Sequence, residues 1–445
     1  MKRTKIAGIE ESIEAGRALR RKLGRAVHAG FQRAAGTPDV ISIIKATNEG
    51  RVPRLLPLKM GRMAVSPFAF FRGTAPVMAA DLAPLPASGL KVQLCGDAHV
   101  RNLGAYAAPD GHLVFDLNDF DETIVGPWEW DIKRLAVSII LAGKEAGGRD
   151  EICGDAVQAM VRSYREALAG FCHMPVLEMA RYEIRRENAP GSLRKVLRKA
   201  ERSTADKLLA KLTEASGHGT PRFHDEPPVL EHVPEETAAA VIQSLKKYRT
   251  TLGAGRQLIF DAFRPVDVAF KVVGTGSVGT RDYVVLLFGN SLNDPLFIQI
   301  KEALKSCYGP HLPGAASAAH SGQRVAQGQQ RTQTVCDPFL GWTNIEGRHY
   351  LVRQLADHKA SLDPADLSGG ILFDYAMVCG ETLAKAHART GPAAMLAGYC
   401  GSSDKLDKAV AVFAQAYAAQ TERDYAAFMR AIRAGRIKAE KAAAR

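Results

Sequence analysis

The spacing of apolar positions predicts helical flanks on either side of a β-rich stretch. Apolar residues recur three and four apart from 131 to about 212, as in DAVQAMVRSYREALAGF, and the chain from 371 onward has the same character. Residues 1–60 are also typical of helices, with more polar positions. The segment 61–83, GRMAVSPFAFFRGTAPVMAADLA, carries three closely spaced phenylalanines and is predicted to pack inside.

Short apolar runs predict strands in two regions. The first holds KVQLC and HLVFDLNDF, separated by the loop GDAHVRN and the turn APDG. The second begins near 267 with three β-segments, and continues after a glutamine-rich helix (323–335) with FLGWTNIEG and RHYLVRQLA. This pattern predicts a sheet of about five strands with one inserted helix, forming a separate lobe. The Pro- and His-rich stretch 217–234 before it is predicted to be a linker.

Composition narrows the class of protein. A chain of 445 residues with 46% hydrophobic content can bury more than one core. The longest apolar candidate for a membrane span, Leu135 to Ala142, is too short, and the start of the chain lacks the apolar core of a secretory signal. A cytoplasmic protein is therefore predicted. The seven cysteines form no C-x-x-C pair or His-spaced cluster, which argues against structural zinc and disulfides.

The net charge of +12 is concentrated in three helix-like stretches, Arg17 to Arg25, Arg194 to Lys211 and Arg430 to Arg445. Interleaved Leu and Ala favour solvated helix faces. Contact with nucleic acid or an acidic membrane surface, without insertion, is the alternative, and such binding would weaken steeply with salt. No aromatic residues are interleaved to support base stacking.

The motif Gly96-Asp-Ala-His-Val-Arg-Asn102 lies between two strand-like runs. Asp97 followed five positions later by Asn102 is typical of a catalytic loop in which the carboxylate accepts a proton and the amide oxygen holds a metal. An Asx-type turn is the alternative interpretation of the same residues.

A dense acidic run, FDLNDFDE (115–122), follows. Four carboxylates within seven residues are costly unless a cation neutralises them, which predicts a divalent metal at Asp119 with Asp121 beside it. Asp131 opens the next helix, and it is predicted to cap that helix or to fix the loop through an ion pair.

The third element is a complete G-x-G-x-x-G, Gly274-Thr-Gly-Ser-Val-Gly279, between two strand-like runs. A dinucleotide fingerprint would be followed by a helix, whereas TRDYVVLLF continues as a strand, so a phosphate-covering hairpin is favoured over it. An ordinary glycine-rich hairpin remains the simpler alternative. Lys301 ends the next strand on the opposite face from Ile300, where its ammonium can reach nucleotide phosphates.

These residues are similar to those of the protein-kinase-like superfamily, and GDAHVRN most resembles the small-molecule kinases related to aminoglycoside and choline phosphotransferases. GRMAVSPFAFFRG, GDAHVRNLGAY, FDLNDFDET, GPWEWDIKRLAVS, VVGTGSVGTR, FIQIKEA, GQRVAQGQ, DPFLGW and LAKAHARTG further resemble the bacterial family catalogued as domain of unknown function 2252, over nearly the whole chain.

The superfamily resemblance implies a set of roles. Asp97 would be the catalytic base and Lys301 the catalytic, phosphate-pairing lysine. The metal ligands would be Asn102 and Asp119, joined by Asp121 from the acidic run. The loop covering the phosphates would comprise Gly274, Thr275, Gly276, Ser277 and Gly279.

Two departures from ordinary kinases accompany the resemblance. The glycine loop and lysine follow the catalytic loop instead of preceding it, which implies a circular permutation. No acidic residue lies between Glu302 and Asp337, so the inserted helix offers no carboxylate to pair with Lys301. An amide, Glu302 or a carboxylate from elsewhere would then position this lysine.

The sequence thus predicts an α+β, two-lobed, protein-kinase-like fold. Residues 1–250 would form a helical lobe with the catalytic and metal loops, 255–360 a small antiparallel β-rich nucleotide lobe, and 361–445 helices completing the first lobe. The predicted activity is phosphoryl transfer from ATP, with Mg²⁺, to an unidentified small molecule or protein. Transfer of AMP and a pseudokinase-like nucleotide-binding module without catalysis are the alternatives.

Overall fold

The computed structural model describes residues 8–185, 191, 194, 205–215, 219–312, 314, 318–355, 360 and 362–440. The α-helices in these ranges are α1 (Ile9–Lys22), α2 (Val40–Ala46), α3 (Leu56–Met63), α4 (Pro67–Arg72), α5 (Ala75–Leu82), α6 (Trp128–Glu145), α7 (Asp150–Phe171), α8 (Val176–Arg181), α9 (Ala205–Leu212), α10 (Glu235–Arg249), α11 (Ala254–Asp261), α12 (Ser321–Thr332), α13 (Gly369–Thr390), α14 (Ala393–Cys400) and α15 (Lys405–Arg433). The strands are β1 (Lys91–Leu94), β2 (Leu103–Ala107), β3 (Leu113–Leu117), β4 (Ile124–Pro127), β5 (Ile184–Arg185), β6 (Thr213–Ala215), β7 (Pro221–Phe223), β8 (Leu230–His232), β9 (Arg264–Lys271), β10 (Asp282–Phe288), β11 (Pro295–Glu302), β12 (Gly341–Ile345) and β13 (Arg348–Gln354).

Six antiparallel strands form the main sheet, in the order β12-β13-β11-β10-β9-β8. The five strands predicted from the sequence are present, with α12 inserted between β11 and β12. The sixth, β8, lies in the stretch predicted to be a linker, and it pairs with β9 at the sheet edge. The linker prediction is wrong there. A strand of three residues of which only Leu230 is buried is too short to show an alternating pattern.

Helix α10 packs on this sheet ahead of the predicted boundary at 255. Its Val241, Leu245 and Tyr248 are buried in the same apolar cluster as Ile298 and Ile300 of β11. The Tyr248 hydroxyl also donates to a backbone carbonyl beside β12, that of Phe339. We call β8–β13 with α10–α12 the sheet lobe.

A bundle of long helices, which we call the helical body, consists of α6, α7, α13 and α15. Helix α6 is buried on all sides from Trp128 to Gly143, as expected for a helix at the centre of a bundle. The indole of Trp128 stacks on Tyr164 of α7, with ring centroids 5.7 Å apart. Because α13 and α15 pack against α6 and α7, the bundle is assembled from both sides of the sheet lobe along the chain.

The phenylalanine-rich segment forms α4 and the loop into α5. Ser66 begins α4 by accepting a hydrogen bond from the Ala69 amide, 3.0 Å away. Phe68, Phe70 and Phe71 are each at most 2% exposed, so the prediction that this segment packs inside is confirmed. Burying one such side chain stabilises the fold by about 2 kcal/mol.

Where the structure describes them, the basic stretches are exposed to solvent. The apolar runs are buried. On α1, Arg17 and Arg21 flank Glu14 on an exposed face. Most of the stretch from Arg194 to Lys211, and the last five residues of the tail, lie outside the described residues. Among the described helices, none combines the length and apolar character that a bilayer crossing requires.

Candidate active site

The catalytic loop predicted at 96–102 connects β1 to β2 and is fixed by Asp131. The Asp131 carboxylate, in the first turn of α6, accepts hydrogen bonds from the backbone amides of Cys95 at 2.8 Å and Gly96 at 3.0 Å. Gly96 has φ +89°, and a Cβ at this position would lie 2.3 Å from the carbonyl oxygen of Glu122. Asp131 therefore fixes the loop through hydrogen bonds to backbone amides instead of the predicted ion pair, and the residue that caps α6 is Pro127 instead of Asp131.

Asp97 is held by an arginine that the sequence did not single out. Arg134 is fully buried in α6, and its Nε lies 2.5 Å from Asp97 Oδ1 while its guanidinium covers the Phe71 ring at 4.1 Å. The Asp97 side chain stays 21% exposed, and its Oδ2 lies 3.7 Å from His99 Nε2. Burial and the nearby Asp119 charge raise the pKa of Asp97, against the opposing effect of Arg134.

Asn102 is oriented by the backbone of the loop. Its Nδ2 donates to the carbonyl oxygen of Asp97 at 2.8 Å. Its backbone carbonyl accepts a hydrogen bond from the amide of Asn118, which directly follows β3. With the amide nitrogen used in this way, the Oδ1 of Asn102 is the atom available to a cation.

The acidic run 115–122 is neutralised mostly by protein groups. Asp116 forms an ion pair with Lys385 of α13, and both side chains are almost fully buried. Glu122 accepts a hydrogen bond from the Cys307 amide at 2.6 Å. The density of carboxylates therefore does not by itself require a metal, which corrects the inference drawn from the sequence. Asp119, Asp121 and Glu122 of this run line the cleft together with Asn102, and Asp119 Oδ1 accepts from the Asp121 amide at 3.2 Å.

Lys301 joins the sheet lobe to the acidic loop. Its Nζ lies 2.5 Å from Asp121 Oδ2, and its side chain is 4% exposed. The same Asp121 oxygen accepts from Ser277 Oγ in the glycine loop at 3.2 Å. Burial disfavours the charged lysine, yet the charges of Asp119 and Asp121 outweigh burial and raise the pKa of Lys301. Asp121 thus supplies the carboxylate partner that α12 lacks, and one of its oxygens is already engaged.

The glycine loop connects the antiparallel strands β9 and β10, so the predicted hairpin is confirmed. Gly274, Thr275, Gly276 and Ser277 line the cleft, with Gly274 at φ +74°. Gly279 lies outside it, at φ +90°, where a Cβ would approach the Arg51 side chain to 3.1 Å.

Helix α12 holds the acidic loop through Arg324 instead of a carboxylate. This guanidinium donates to the carbonyl oxygens of Asp121 at 2.7 Å, Thr123 at 2.5 Å and Leu304 at 2.8 Å. Helix α12 therefore binds backbone oxygens of the acidic loop and holds this loop against the sheet lobe.

One cleft collects most of the predicted residues, and Lys301 lies buried beneath it. Its charged lining has two sides: carboxylates from the catalytic and acidic loops, and cations that the sequence did not single out. The lining residues are Thr47, Arg51, Lys59, Arg72, Gly73, Ala75, Pro76, Asp97, His99, Asn102, Asp119, Asp121, Glu122, Gly274, Thr275, Gly276, Ser277, Thr280, Glu302 and Leu304.

The oxygen donors of the cleft suit magnesium shared with a substrate phosphate. Within the described residues, no group of three or more His, Cys, Asp or Glu side chains is placed to hold a metal. Mg²⁺ is usually bound by one or two carboxylates together with phosphate oxygens and waters. Asn102 Oδ1 and the Asp119 carboxylate provide that smaller protein set, whereas Asp121 is engaged by Lys301.

Asp282 gives the sheet lobe a predicted pH dependence. It lies opposite Lys301 across β10 and β11, is 3% exposed, and has one oxygen bound by Gln299 at 2.7 Å. Burial raises the pKa of Asp282 to about 7. The folded state then holds a proton that the unfolded chain has released between about pH 4 and 7, so stability falls as pH rises through this range.

We expect Asp282→Asn to remove this dependence. Relative to wild type, the melting temperature of the variant should rise more at pH 8 than at pH 5. The corresponding gain in the free energy of unfolding is up to about 1.4 kcal/mol for each unit by which the pKa of Asp282 differs between the folded and unfolded states. Thermal unfolding at both pH values measures it. An offset between the two proteins that is the same at pH 5 and pH 8 would contradict the raised pKa.

The fold and cleft define a mixed α+β protein in which a charged site is lined by the glycine loop of an antiparallel sheet, by the catalytic and acidic loops and by the segment 47–76. The chain belongs to the family described as uncharacterized protein conserved in bacteria (DUF2252), whose model matches residues 51–431. The matched range contains the catalytic loop, the acidic run and the glycine loop. Neither the curated proteins nor the solved structures contain a match to the chain.

Proposed function

We propose that this protein is an ATP- and Mg²⁺-dependent phosphotransferase with a circularly permuted protein-kinase-like fold. The observation that carries the proposal is the contact of Lys301 with Asp121 at 2.5 Å, because it joins two segments 180 residues apart in sequence. A glycine hairpin, a buried lysine and an Asp/Asn loop around one cleft are the parts that phosphoryl transfer from ATP requires.

Each residue has a role in this proposal. The backbone of Gly274 and Gly276 covers the phosphates, and Lys301 pairs with them from below. Asn102 and Asp119 would hold Mg²⁺, which when bound neutralises charge on the transferring phosphoryl group. Asp97, with Oδ1 fixed by Arg134, accepts the proton of the acceptor hydroxyl. Positioning and charge neutralisation supply most of the rate enhancement.

Contacts between the N-terminal and C-terminal segments support a permutation. Helix α1 packs against α14, with the Gly16 position in contact with the backbone of Met395. The amide of Glu440 donates to the carbonyl oxygen of Pro57 at 3.0 Å. A fold whose ends lie near each other tolerates new termini in an exposed loop. In the proposed order, α13 would come before the catalytic loop, and Lys385 of α13 contacts Asp116 in β3.

The reaction type is tested with labelled ATP. We expect label from the γ position, and not from the α position, to appear in a product when the protein is incubated with Mg²⁺, ATP and a bacterial small-molecule extract. Label from the α position would assign AMP transfer instead. Binding of ATP with transfer of neither label would leave a nucleotide-binding module, and absence of ATP binding would remove the proposal.

The metal role of Asp119 has its own test. Loss of one charged metal contact is worth about 1.5–3 kcal/mol, so Asp119→Ala should weaken Mg-ATP binding by about 10- to 100-fold in calorimetry. Asp404→Ala, which removes an exposed carboxylate paired with Lys408, is the matched control and should bind like wild type. An unchanged affinity in a folded Asp119→Ala variant would remove the metal role assigned to it.

A further inference from the structure

Three cations from one segment of the chain line the cleft. Arg51 precedes α3, Lys59 lies on α3, and Arg72 ends α4. None of the three belongs to the glycine hairpin, the lysine strand or the acidic loops that make up the proposed nucleotide site. They come from the segment 47–76, which also contributes the backbone at the start of α5.

In the described ranges, two of the three cations, Lys59 and Arg51, are hydrogen-bonded to neutral groups, and Arg72 is not. Lys59 Nζ donates to Thr47 Oγ1 at 3.0 Å and to Asn48 Oδ1 at 2.9 Å. Arg51 donates to the carbonyl oxygens of Thr47 at 2.7 Å and Val278 at 2.6 Å. The Nε of Arg72 is buried without a hydrogen-bond partner. Within the described part of the chain, none of the three forms an ion pair with a carboxylate.

Unpaired cations in a partly closed cleft are energetically unfavourable. Burial lowers the pKa of Lys59 well below its usual value and lowers the pKa of Arg72 to about 10. A buried charge is normally retained when a partner of opposite sign compensates it. The charges of nearby carboxylates, such as Asp119 for Arg72 and Glu122 for Arg51, offset burial only in part, and among the described residues none forms an ion pair with these cations. An anionic ligand would supply that direct contact.

The position of the three cations indicates what kind of anion fits. Arg72 lies within the electrostatic influence of Asp97 and Asp119, next to the site of chemistry. Arg51 is similarly close to Asp121 and Glu302 on the lysine side. The eight-residue helix α5 also begins at the cleft, at Ala75, so its N-terminal dipole favours an anion at the same place. Guanidinium groups bind the paired oxygens of a phosphate in a bidentate manner.

We propose that Arg51, Lys59 and Arg72 form a phosphate-binding subsite separate from Lys301 and the glycine loop. The phosphate has two possible sources, the terminal phosphate of bound ATP or a phosphate group on the acceptor, and assignment to either source rests on the proposed function. A purely structural role, in which these cations only hold the segment 47–76 on the glycine loop, predicts lost stability without altered binding.

Arg72→Gln is the sharpest test, because within the described residues the Nε of Arg72 has no hydrogen-bond partner that the substitution would remove. Calorimetry would measure Mg-ATP, Mg-ADP, and inorganic phosphate added to the protein saturated with Mg-ADP. If the terminal phosphate of ATP occupies the subsite, the variant binds Mg-ATP at least about tenfold more weakly and binds Mg-ADP as before. If the acceptor supplies the phosphate, both nucleotides bind as before and binding of inorganic phosphate is lost.

Two further variants complete the experiment. Lys59→Met should show the same pattern as Arg72→Gln, while Arg54→Gln, at an exposed arginine paired with Glu231 outside the cleft, should bind all three ligands like wild type. Unchanged binding of ATP, ADP and phosphate by folded Arg72→Gln and Lys59→Met would overturn the subsite and leave the proposed function intact. If neither protein binds nucleotide, and wild type binds inorganic phosphate but Arg72→Gln does not, the subsite is supported and the proposed function is removed. Wild type that binds none of the three ligands would overturn both.

Discussion

Replacing Lys385 with methionine is expected to lower the free energy of unfolding by about 3–5 kcal/mol, because it leaves a buried carboxylate without its partner. The Lys385 ammonium donates to Asp116 Oδ2, and the two side chains are 1% and 3% exposed. Methionine keeps the length and apolar stem of lysine, so the loss comes from the charge. This pair also joins α13 to β3, the strand in which the acidic run begins.

Urea unfolding of wild type and variant measures the effect. Lys408→Met breaks an exposed ion pair with Asp404 and is the matched control, with an expected change of at most about 1 kcal/mol. Adding Asp116→Asn to Lys385→Met removes the stranded charge and should restore part of the loss. A single Lys385→Met variant that unfolds within about 1 kcal/mol of wild type would show that the pair is not the buried contact described here.

Asp97→Asn is expected to reduce phosphoryl transfer by about 10²- to 10⁴-fold, the usual contribution of a general base. Asparagine has the same shape as aspartate, and it can still accept a hydrogen bond from Arg134 at the Oδ1 position. The amide cannot accept the proton of an acceptor hydroxyl. The reaction should therefore fail at the chemical step, after substrates have bound.

The rate of γ-label transfer measures this prediction, with Mg-ATP affinity and thermal unfolding as controls. Affinity for Mg-ATP should stay close to that of wild type, because we propose that Asn102, Asp119 and Lys301, and not Asp97, bind the metal and the nucleotide. A folded Asp97→Asn protein that transfers label within fivefold of the wild-type rate would remove Asp97 as the base. A large fall in nucleotide affinity would instead place Asp97 in binding.

Local patterns were sufficient to predict the β-rich region and its glycine hairpin. The runs around Gly274 and Lys301 are mostly apolar over seven or eight residues and are bounded by turns, which is typical of buried strands. The face on which Lys301 lies was predicted from the local alternation of Ile298 and Ile300 with Gln299 and Lys301. The short strand β8 and helix α10 were assigned to other regions, because tertiary packing on the sheet, rather than their own pattern, determines where they belong.

The partners of the charged residues could not be predicted from local sequence. Arg134 is one of several charged residues at the start of α6, and only the approach of this helix to the catalytic loop brings it to Asp97. Lys385 is 269 residues from Asp116, and nothing in either segment indicates the pairing. The absence of a carboxylate in α12 was visible in the sequence, and a carboxylate from another segment was one of the predicted partners of Lys301. Asp121 fills that place, after having been predicted as a metal ligand.

A crystal structure with Mg²⁺ and a non-hydrolysable ATP analogue tests the shared cleft most directly. We predict that the triphosphate lies between the glycine loop and Lys301, with Mg²⁺ about 2.1 Å from Asn102 Oδ1 and from an oxygen of Asp119. A nucleotide bound elsewhere on the protein, or an empty cleft at saturating concentrations of the analogue, would contradict the proposed nucleotide site.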